Sequence, residues 1–178
     1  RVLVDEKIAD VFIEKLIART KNIRAGNPLE SDAPLGVLES LKAAARIRKL
    51  VEDARGKGAN LPLGLEIDGA IMQPTVVVDV TKDMQLYAEE SFGPVCTVQR
   101  FKTVEEAIEL ANDSEFGLSA AVFSQDLAQA LAVAKGIESG ICHINGATVH
   151  DEAQMPFGGV KQSGYGRFGS KVSIAEFT

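Results

Sequence analysis

The chain has 178 residues, of which 46% are hydrophobic and 25% are charged, and its formal net charge is −6 at pH 7. The acids and bases are interspersed, which argues against the basic face that nucleic acid requires. No apolar run approaches the roughly 20 residues that a membrane-spanning helix needs, and no signal peptide is visible. We therefore expect one globular domain with neither nucleic acid nor a membrane as its partner.

The first part of the chain predicts a strand and two helices. Residues 2–4 read as a strand, Asp5 can cap a helix that begins near Glu6, and Gly26-Asn27-Pro28 breaks that helix. A second helix is predicted over residues 40–55. The inward stripe of the first helix is predicted to be Ile8, Val11, Phe12, Lys15, Leu16 and Arg19. The second helix is predicted to bury Leu41, Ala44, Ala45, Ile47, Leu50, Val51 and Ala54, and to leave Arg46, Lys49, Glu52 and Asp53 on a solvated face.

The rest of the chain predicts strands alternating with helices. Strands are predicted over residues 61–67 and 75–80, joined through Asp68-Gly69, and a polar connection covers 81–87. Further strands over 95–101, 118–123 and 140–144 alternate with helices over 104–112 and 127–136. A Thr103 and Glu106 capping box opens the first of these helices, and Asp126 caps the second. This order predicts a parallel sheet with crossover helices, whose ligands gather at the carboxyl ends of the strands, as in the loop after Ile144.

A stiff acidic corner lies just before the strand predicted at residue 95. Glu89 and Glu90 are followed by Phe92 and then by Gly93-Pro94. A carboxylate in such a corner can accept hydrogen bonds from a sugar diol, and the ring can pack on a flat heterocycle. The alternative is a solvated acidic turn followed by a core phenylalanine.

The glycine-rich tail contains a second motif. Residues 164–169 match the pattern GxGxxG. A dinucleotide fingerprint needs a strand immediately before it and an acid about 20 residues beyond it. A polar loop precedes these glycines, so we predict that the match is a false positive.

Taken together, these segments resemble the NAD(P)-dependent aldehyde dehydrogenase superfamily. The two strongest signatures are EESFGPV and PFGGVKQSGYGRFG, and the resemblance covers essentially the whole chain. The segments GNPLES, QPTVVVDV, EEAIELANDSEFGLSAAVFSQDLAQA and SGICHING fall in the same order as in that family. Within the family, CHINGATVHDEAQMPFGGVKQSGYGRFG is most similar to aromatic aldehyde dehydrogenases of the salicylaldehyde type.

The resemblance implies a fold, a reaction and four site residues. The fold is a three-layer α-β-α catalytic domain with a mostly parallel sheet, and the reaction is oxidation of a small aldehyde to a carboxylic acid with NAD, or with NADP as the alternative. Glu90 matches the glutamate that binds the nicotinamide-ribose hydroxyls, and Phe92 matches the aromatic residue beside the nicotinamide. Phe157 would line the substrate tunnel. His150 lies in the substrate-facing loop and could donate a hydrogen bond to an aromatic hydroxyaldehyde. The family also implies a homodimer or homotetramer. The cysteine content, with two residues and no disulfide framework, predicts a cytoplasmic protein.

The family's nucleophilic cysteine corresponds to a position before Arg1. We therefore expect residues 1–178 to be one C-terminal catalytic domain, with the nucleotide-binding domain upstream. The isolated chain should be inactive, because it lacks the nucleophile, and should have no cofactor bound. Cys96 and Cys142 lie in strand-like runs, with spacing that fits no metal site, and we predict that neither is the nucleophile. Cys142 and His143 are neighbours on a predicted strand, so they point to opposite faces and cannot form a dyad.

Two alternatives to an aromatic aldehyde dehydrogenase stay open at this point. The first is a semialdehyde or betaine-type dehydrogenase of the same superfamily. The second is a non-catalytic binding module derived from such an enzyme. The choice between NAD and NADP depends on a pocket for the 2′-hydroxyl that belongs to the nucleotide-binding domain.

Overall fold

The computed structural model describes residues 1–178, except for the side chain of Ser170. The chain forms two compact units, Arg1–Lys102 and Thr103–Thr178. The first unit contains β1 (Val2–Asp5), α1 (Glu6–Thr20), α2 (Leu41–Gly56), β2 (Asn60–Leu63), β3 (Ile67–Asp68), β4 (Ile71–Met72), β5 (Thr75–Val78), α3 (Gln85–Ala88) and β6 (Val95–Phe101). The second contains α4 (Val104–Asn112), β7 (Phe116–Gly117), β8 (Ser119–Val122), α5 (Leu127–Gly136), β9 (Ile141–Ile144), β10 (Val160–Lys161) and α6 (Ser170–Phe177).

A four-stranded sheet with a helix on each face organises the first unit. Its strand order is β1-β6-β5-β2, with β1, β6 and β5 parallel and β2 antiparallel to β5. Successive residues of β5 point to opposite faces. Val76 and Val78 pack in the same cluster as Ala9 of α1, whereas Val77 packs with residues of α2. The predicted α/β class, with three layers around a mostly parallel sheet, is confirmed.

Helix α1 buries only part of the predicted stripe, since Phe12 and Leu16 pack against the sheet as expected. Asp5 caps it as expected, accepting a hydrogen bond from Lys7 N at 2.9 Å, but it ends at Thr20. Ile8 and Val11 are exposed. The residues that reach the sheet are Ala9, Phe12, Ile13 and Leu16. Ala9 is small and fully buried, so the helix can approach the sheet closely at this residue. Ile8 and Val11 face outward.

Helix α2 and the hairpin after it also differ in part from the prediction. Leu41 and Ala45 of α2 are exposed, although the other predicted inner residues are largely buried. The strand predicted over 61–67 is interrupted after Leu63. Gly64 and Leu65 both have positive φ, at 112° and 65°, which turns the chain out of the sheet. A separate hairpin of β3 and β4 follows around Gly69.

The second unit is built on one parallel strand pair and one antiparallel pair. Strands β8 and β9 are parallel, with α5 as their crossover helix, and β7 pairs with β10 antiparallel. The single parallel sheet predicted from residue 95 onward is therefore correct for β8 and β9 and wrong for β6. Strand β6 pairs with β1 on one edge and β5 on the other, which leaves no edge of β6 for β8.

Candidate functional site

Residues 89–94 form the acidic loop, which joins α3 to β6. Its first residue is held to α3, because Glu89 N donates to Gln85 O at 2.9 Å. Its last residue is held to the sheet, because Thr75 N at the start of β5 donates to Pro94 O at 2.8 Å. The loop therefore leaves a helix and enters the central strand with both ends fixed.

Arg46 of α2 clamps the middle of the acidic loop. Its guanidinium donates through Nη1 to Glu90 O at 3.1 Å and through Nη2 to Ser91 O at 2.5 Å. The side chain is half-buried, so the prediction that Arg46 belongs to a solvated face is wrong. The planar guanidinium can satisfy two neighbouring carbonyls at once, which a single ammonium group does less well.

The acidic loop also touches α2 through Gly93. A Cβ at this position would lie 2.5 Å from Ile47 Cδ1, and Ile47 is fully buried. The preceding residue, Phe92, has φ 49°, a conformation that is uncommon outside glycine and costs of order 1 kcal/mol. Such a backbone persists only where its surroundings hold it, as Arg46 and Ile47 do here.

This anchoring leaves the two predicted cofactor residues open to a ligand. The Glu90 side chain is exposed, and Phe92 is 78% exposed. The alternative prediction of a core phenylalanine is therefore wrong. A carboxylate can accept hydrogen bonds from neighbouring hydroxyls, and an uncovered ring can pack on a flat heterocycle. The assignment of Glu90 to a ribose and of Phe92 to a nicotinamide stays a prediction.

In the second unit, residues 145–157 form the loop that follows β9. Asn145 fastens its start, accepting from Ser124 N at 3.0 Å and donating to Ser124 O at 3.0 Å. Asn145 has φ 54°, which asparagine tolerates better than most residues. Ser119 of β8 donates to Thr148 O at 2.7 Å. The loop thus leaves the carboxyl end of a parallel strand, as predicted, with its first residues tied to β8 and the segment after it.

His150 lies in this loop between two other ionisable residues. Its side chain is 62% exposed, and its Nε2 lies 3.3 Å from Glu152 Oε1. The rings of His143 and His150 are edge-to-face, with centroids 6.1 Å apart and planes at 70°. Sequence reasoning singled out His150 and missed both neighbours. The alternation of residues in β9, which sends His143 and Cys142 to opposite faces, was the available signal for His143.

Phe157 opens a turn whose shape depends on glycine. Phe157 and Phe168 form an antiparallel bridge, and their rings lie 5.4 Å apart. A Cβ on Gly158 would lie 2.5 Å from Gly166 O, and one on Gly140 would clash with Gly158 O. The turn therefore needs glycine at both positions. Phe157 is half-buried against Phe168, and its role in a substrate tunnel stays a prediction.

The two thiols lie in strands that disfavour nucleophilic chemistry. Burial raises the pKa of the Cys96 thiol, and burial also raises the pKa of the Cys142 thiol. A raised pKa leaves less of the reactive thiolate at neutral pH. Cys142 and His143 are successive residues of β9, so their side chains project to opposite faces.

The glycine motif at residues 164–169 lacks the setting of a dinucleotide fingerprint. The strand before it, β10, has two residues and pairs antiparallel with β7. An open cavity of about 920 Å³ lies beside the motif. The two cations that line it are already engaged. Lys161 Nζ contacts Glu138 Oε2 at 2.6 Å and donates to Asn112 O, and Arg167 donates to Gly159 O at 2.7 Å.

Two features are absent from the described residues. These residues contain no cluster of three or more His, Cys, Asp or Glu side chains that could hold a metal ion. Within the same residues, no helix combines the length and apolar character needed to cross a membrane.

The first unit thus combines a mostly parallel sheet between helices with a clamped loop that exposes a carboxylate and an aromatic ring. The model of the aldehyde dehydrogenase family matches residues 1–178, and the chain belongs to that family.

The relatives of this chain include enzymes that act on aromatic aldehydes. It is 56% identical over 178 residues to vanillin dehydrogenase from Pseudomonas fluorescens, covering 100% of this chain and 37% of that protein. A solved structure of salicylaldehyde dehydrogenase from Pseudomonas putida G7, complexed with salicylaldehyde, superposes with a TM-score of 0.94 at 44% identity. It covers 98% of this chain and 36% of that one. The chain thus spans little more than a third of the length of these relatives.

A betaine aldehyde dehydrogenase is also similar. The structure of the Staphylococcus aureus enzyme in complex with NAD+ has a TM-score of 0.91 at 38% identity, covering 99% of this chain and 36% of that one. A nicotinamide cofactor is therefore a property of the family in which this chain falls.

Proposed function

We propose that the protein oxidises aromatic aldehydes, salicylaldehyde-like compounds among them, to carboxylic acids with NAD as the hydride acceptor. The observation that carries this proposal is the 56% identity to vanillin dehydrogenase together with the 0.94 TM-score against salicylaldehyde dehydrogenase. Both relatives take a benzaldehyde that carries a ring hydroxyl. NADP is the alternative acceptor.

In this proposal the acidic loop binds the cofactor's ribose and nicotinamide. Glu90 would accept hydrogen bonds from the ribose hydroxyls, and Phe92 would pack beside the nicotinamide ring, which accepts the hydride when bound. The support is geometric. Both side chains are exposed, while Arg46, Gly93 and Pro94 hold the backbone beneath them. A preformed loop binds its ligand with less loss of conformational entropy.

We further propose that residues 1–178 work as the catalytic domain of a longer protein. The nucleophilic cysteine, the general base and the nucleotide-binding domain would lie upstream, as the family resemblance implies, and the chain spans 37% of the length of the vanillin dehydrogenase. The raised pKa of Cys96 and of Cys142 supports this assignment of the nucleophile elsewhere. The whole protein would be a cytoplasmic homodimer or homotetramer, and the isolated chain would be inactive.

A reduction assay with two aldehyde classes tests the proposal. NADH formation would be followed for the full-length protein with salicylaldehyde, vanillin, benzaldehyde and betaine aldehyde. We expect kcat/KM for the aromatic aldehydes to exceed that for betaine aldehyde by at least about 100-fold, about 3 kcal/mol. A preference for betaine aldehyde would instead favour a betaine-type aldehyde dehydrogenase.

The isolated 178-residue chain serves as the second sample in this assay. It should form no NADH with any of the four aldehydes. Turnover by the isolated chain that disappears when Cys96 or Cys142 is alkylated would contradict the assignment of the nucleophile upstream. A full-length protein with no dehydrogenase activity on any aldehyde would instead favour a binding module.

A further inference from the structure

The imidazole of His150 is held from two directions. Its Nε2 lies 3.3 Å from Oε1 of Glu152. Its ring also meets the ring of His143 edge-to-face, at 6.1 Å between centroids, which is a favoured geometry for ring pairs. His143 lies in β9, where it pairs with Ala121 of β8. The ring thus has one contact from a strand and one from its own loop.

The carboxylate of Glu152 decides which nitrogen of the neutral imidazole carries the proton. A neutral imidazole has one N–H donor and one acceptor nitrogen. A lone pair on Nε2 would face a negatively charged oxygen at 3.3 Å, whereas an N–H there is attracted by it. The neutral ring therefore carries its proton on Nε2, and Nδ1 is left as a hydrogen-bond acceptor.

We infer that Glu152 is a positioning residue, which makes His150 Nδ1 the acceptor for the phenolic O–H of a hydroxylated aromatic aldehyde. This inference rests on the proposed function and extends it to the ring substituent of the substrate. It reverses the direction of the hydrogen bond expected from the sequence, in which His150 donates. A phenol can supply the required O–H, whereas its methyl ether cannot.

The matched pair of phenol and methyl ether is the probe. In the full-length protein, kcat/KM would be measured for the three hydroxybenzaldehyde isomers and for the corresponding methoxybenzaldehydes. The quantity of interest is the ratio of the hydroxy to the methoxy compound, which does not depend on the fraction of folded enzyme. The 3-hydroxy isomer is compared at about pH 7, where its phenol is un-ionised.

We expect a ratio of roughly 5–10 for at least one isomer in the parent enzyme, which is the effect of one neutral hydrogen bond. Glu152→Leu and Glu152→Ala should each bring the ratio to within about twofold of 1, through a higher KM for the phenol. His150→Phe should have the same effect, and Glu152→Leu should then add nothing to it. Asp151→Leu is the control, because it removes the same charge from the adjacent exposed position and should keep the parent ratio.

Two substitutions of His143 test its role beside His150. His143→Phe retains a ring of similar shape beside His150, so the ratio should be kept, whereas His143→Ala should lower it. A parent ratio near 1 for all three isomers, or an unchanged ratio in both Glu152 variants, would overturn the inference while leaving the oxidation of aromatic aldehydes intact. Oxidation of betaine aldehyde alone would instead overturn the proposed function, and this inference with it.

Discussion

Replacing Arg46 with methionine should weaken NAD binding without touching any group that contacts the cofactor in the proposed function. The guanidinium donates to Glu90 O at 3.1 Å and to Ser91 O at 2.5 Å. A hydrogen bond with a charged partner contributes about 1.5–3 kcal/mol when buried. Because Arg46 is only half-buried, we take about 1 kcal/mol for each bond. Methionine keeps the unbranched stem and removes both bonds, a loss of about 2 kcal/mol.

The loss should fall on the acidic loop, because Phe92 at φ 49° gains by relaxing once the clamp is gone. If the loop must be reordered for each binding event, about 2 kcal/mol raises the Kd for NAD roughly 30-fold. Arg46→Lys retains one donor group and should show a smaller rise. Calorimetric titration with NAD measures the Kd of the full-length parent protein and of both variants.

Lys49→Met is the matched control for this experiment. Lys49 is exposed on the same helix, so the variant removes the same charge and leaves the acidic loop alone. Its Kd should stay within about twofold of the parent value. Equal Kd values for Arg46→Met and Lys49→Met would refute the reasoning, since only the general loss of positive charge would then matter.

Three further variants test the packing and the charges of the first unit. Gly93→Ala should lower the free energy of unfolding by about 1–3 kcal/mol, because the new Cβ clashes with Ile47. Adding Ile47→Val removes the clashing Cδ1 and should restore part of that free energy. Additive losses of the two variants in urea titrations would contradict the clash. Gln99→Leu should raise the free energy of unfolding by about 1–2 kcal/mol, because both polar atoms of the Gln99 side chain are buried without a partner among the described residues. A lower urea midpoint for this variant would argue that Gln99 is paired. Asp53 accepts from Gln85 N, and this bond lowers the pKa of Asp53, so its stabilisation is present above about pH 4 and is lost as the pH falls through the lowered pKa. Asp53→Asn should therefore be less stable than the parent at about pH 7, and this difference should shrink as the pH falls through the lowered pKa of Asp53. A difference that stays constant on acidification would contradict the assignment.

Local signals were sufficient for the two capped helices α4 and α5, although not for α3 (Gln85–Ala88), which lies where a polar connection was predicted over 81–87. Thr103 accepts from Glu106 N at 3.1 Å, and Asp126 accepts from Gln129 N at 3.0 Å. The helices after these caps, Val104–Asn112 and Leu127–Gly136, have the predicted bounds. A cap and a periodic apolar pattern both act within a few residues, so they are visible in the sequence.

Predictions failed where a distant packing partner decides the conformation. The stripe predicted for α1 from helical spacing included Ile8 and Val11, yet both are exposed and Ala9 lies against the sheet instead. The choice between two overlapping stripes depends on how closely a helix approaches its neighbour, which periodicity alone does not contain. The break after Leu63 has a similar origin, since a positive φ at Leu65 is not a preference of leucine.

The residues that anchor the two candidate loops were missed for a common physical reason. Arg46 binds the main-chain oxygens of Glu90 and Ser91, Asn145 binds both main-chain groups of Ser124, and Ser119 binds Thr148 O. Every residue carries a main-chain oxygen, so the partner of such an anchor leaves no mark on the sequence. The groups that would face a ligand, Glu90, Phe92 and His150, have distinctive side chains and were found by motif. Since an anchor acts only through the position of the backbone, its substitution should change affinity with no change in the groups that contact the ligand, which is the result that Arg46→Met is designed to give.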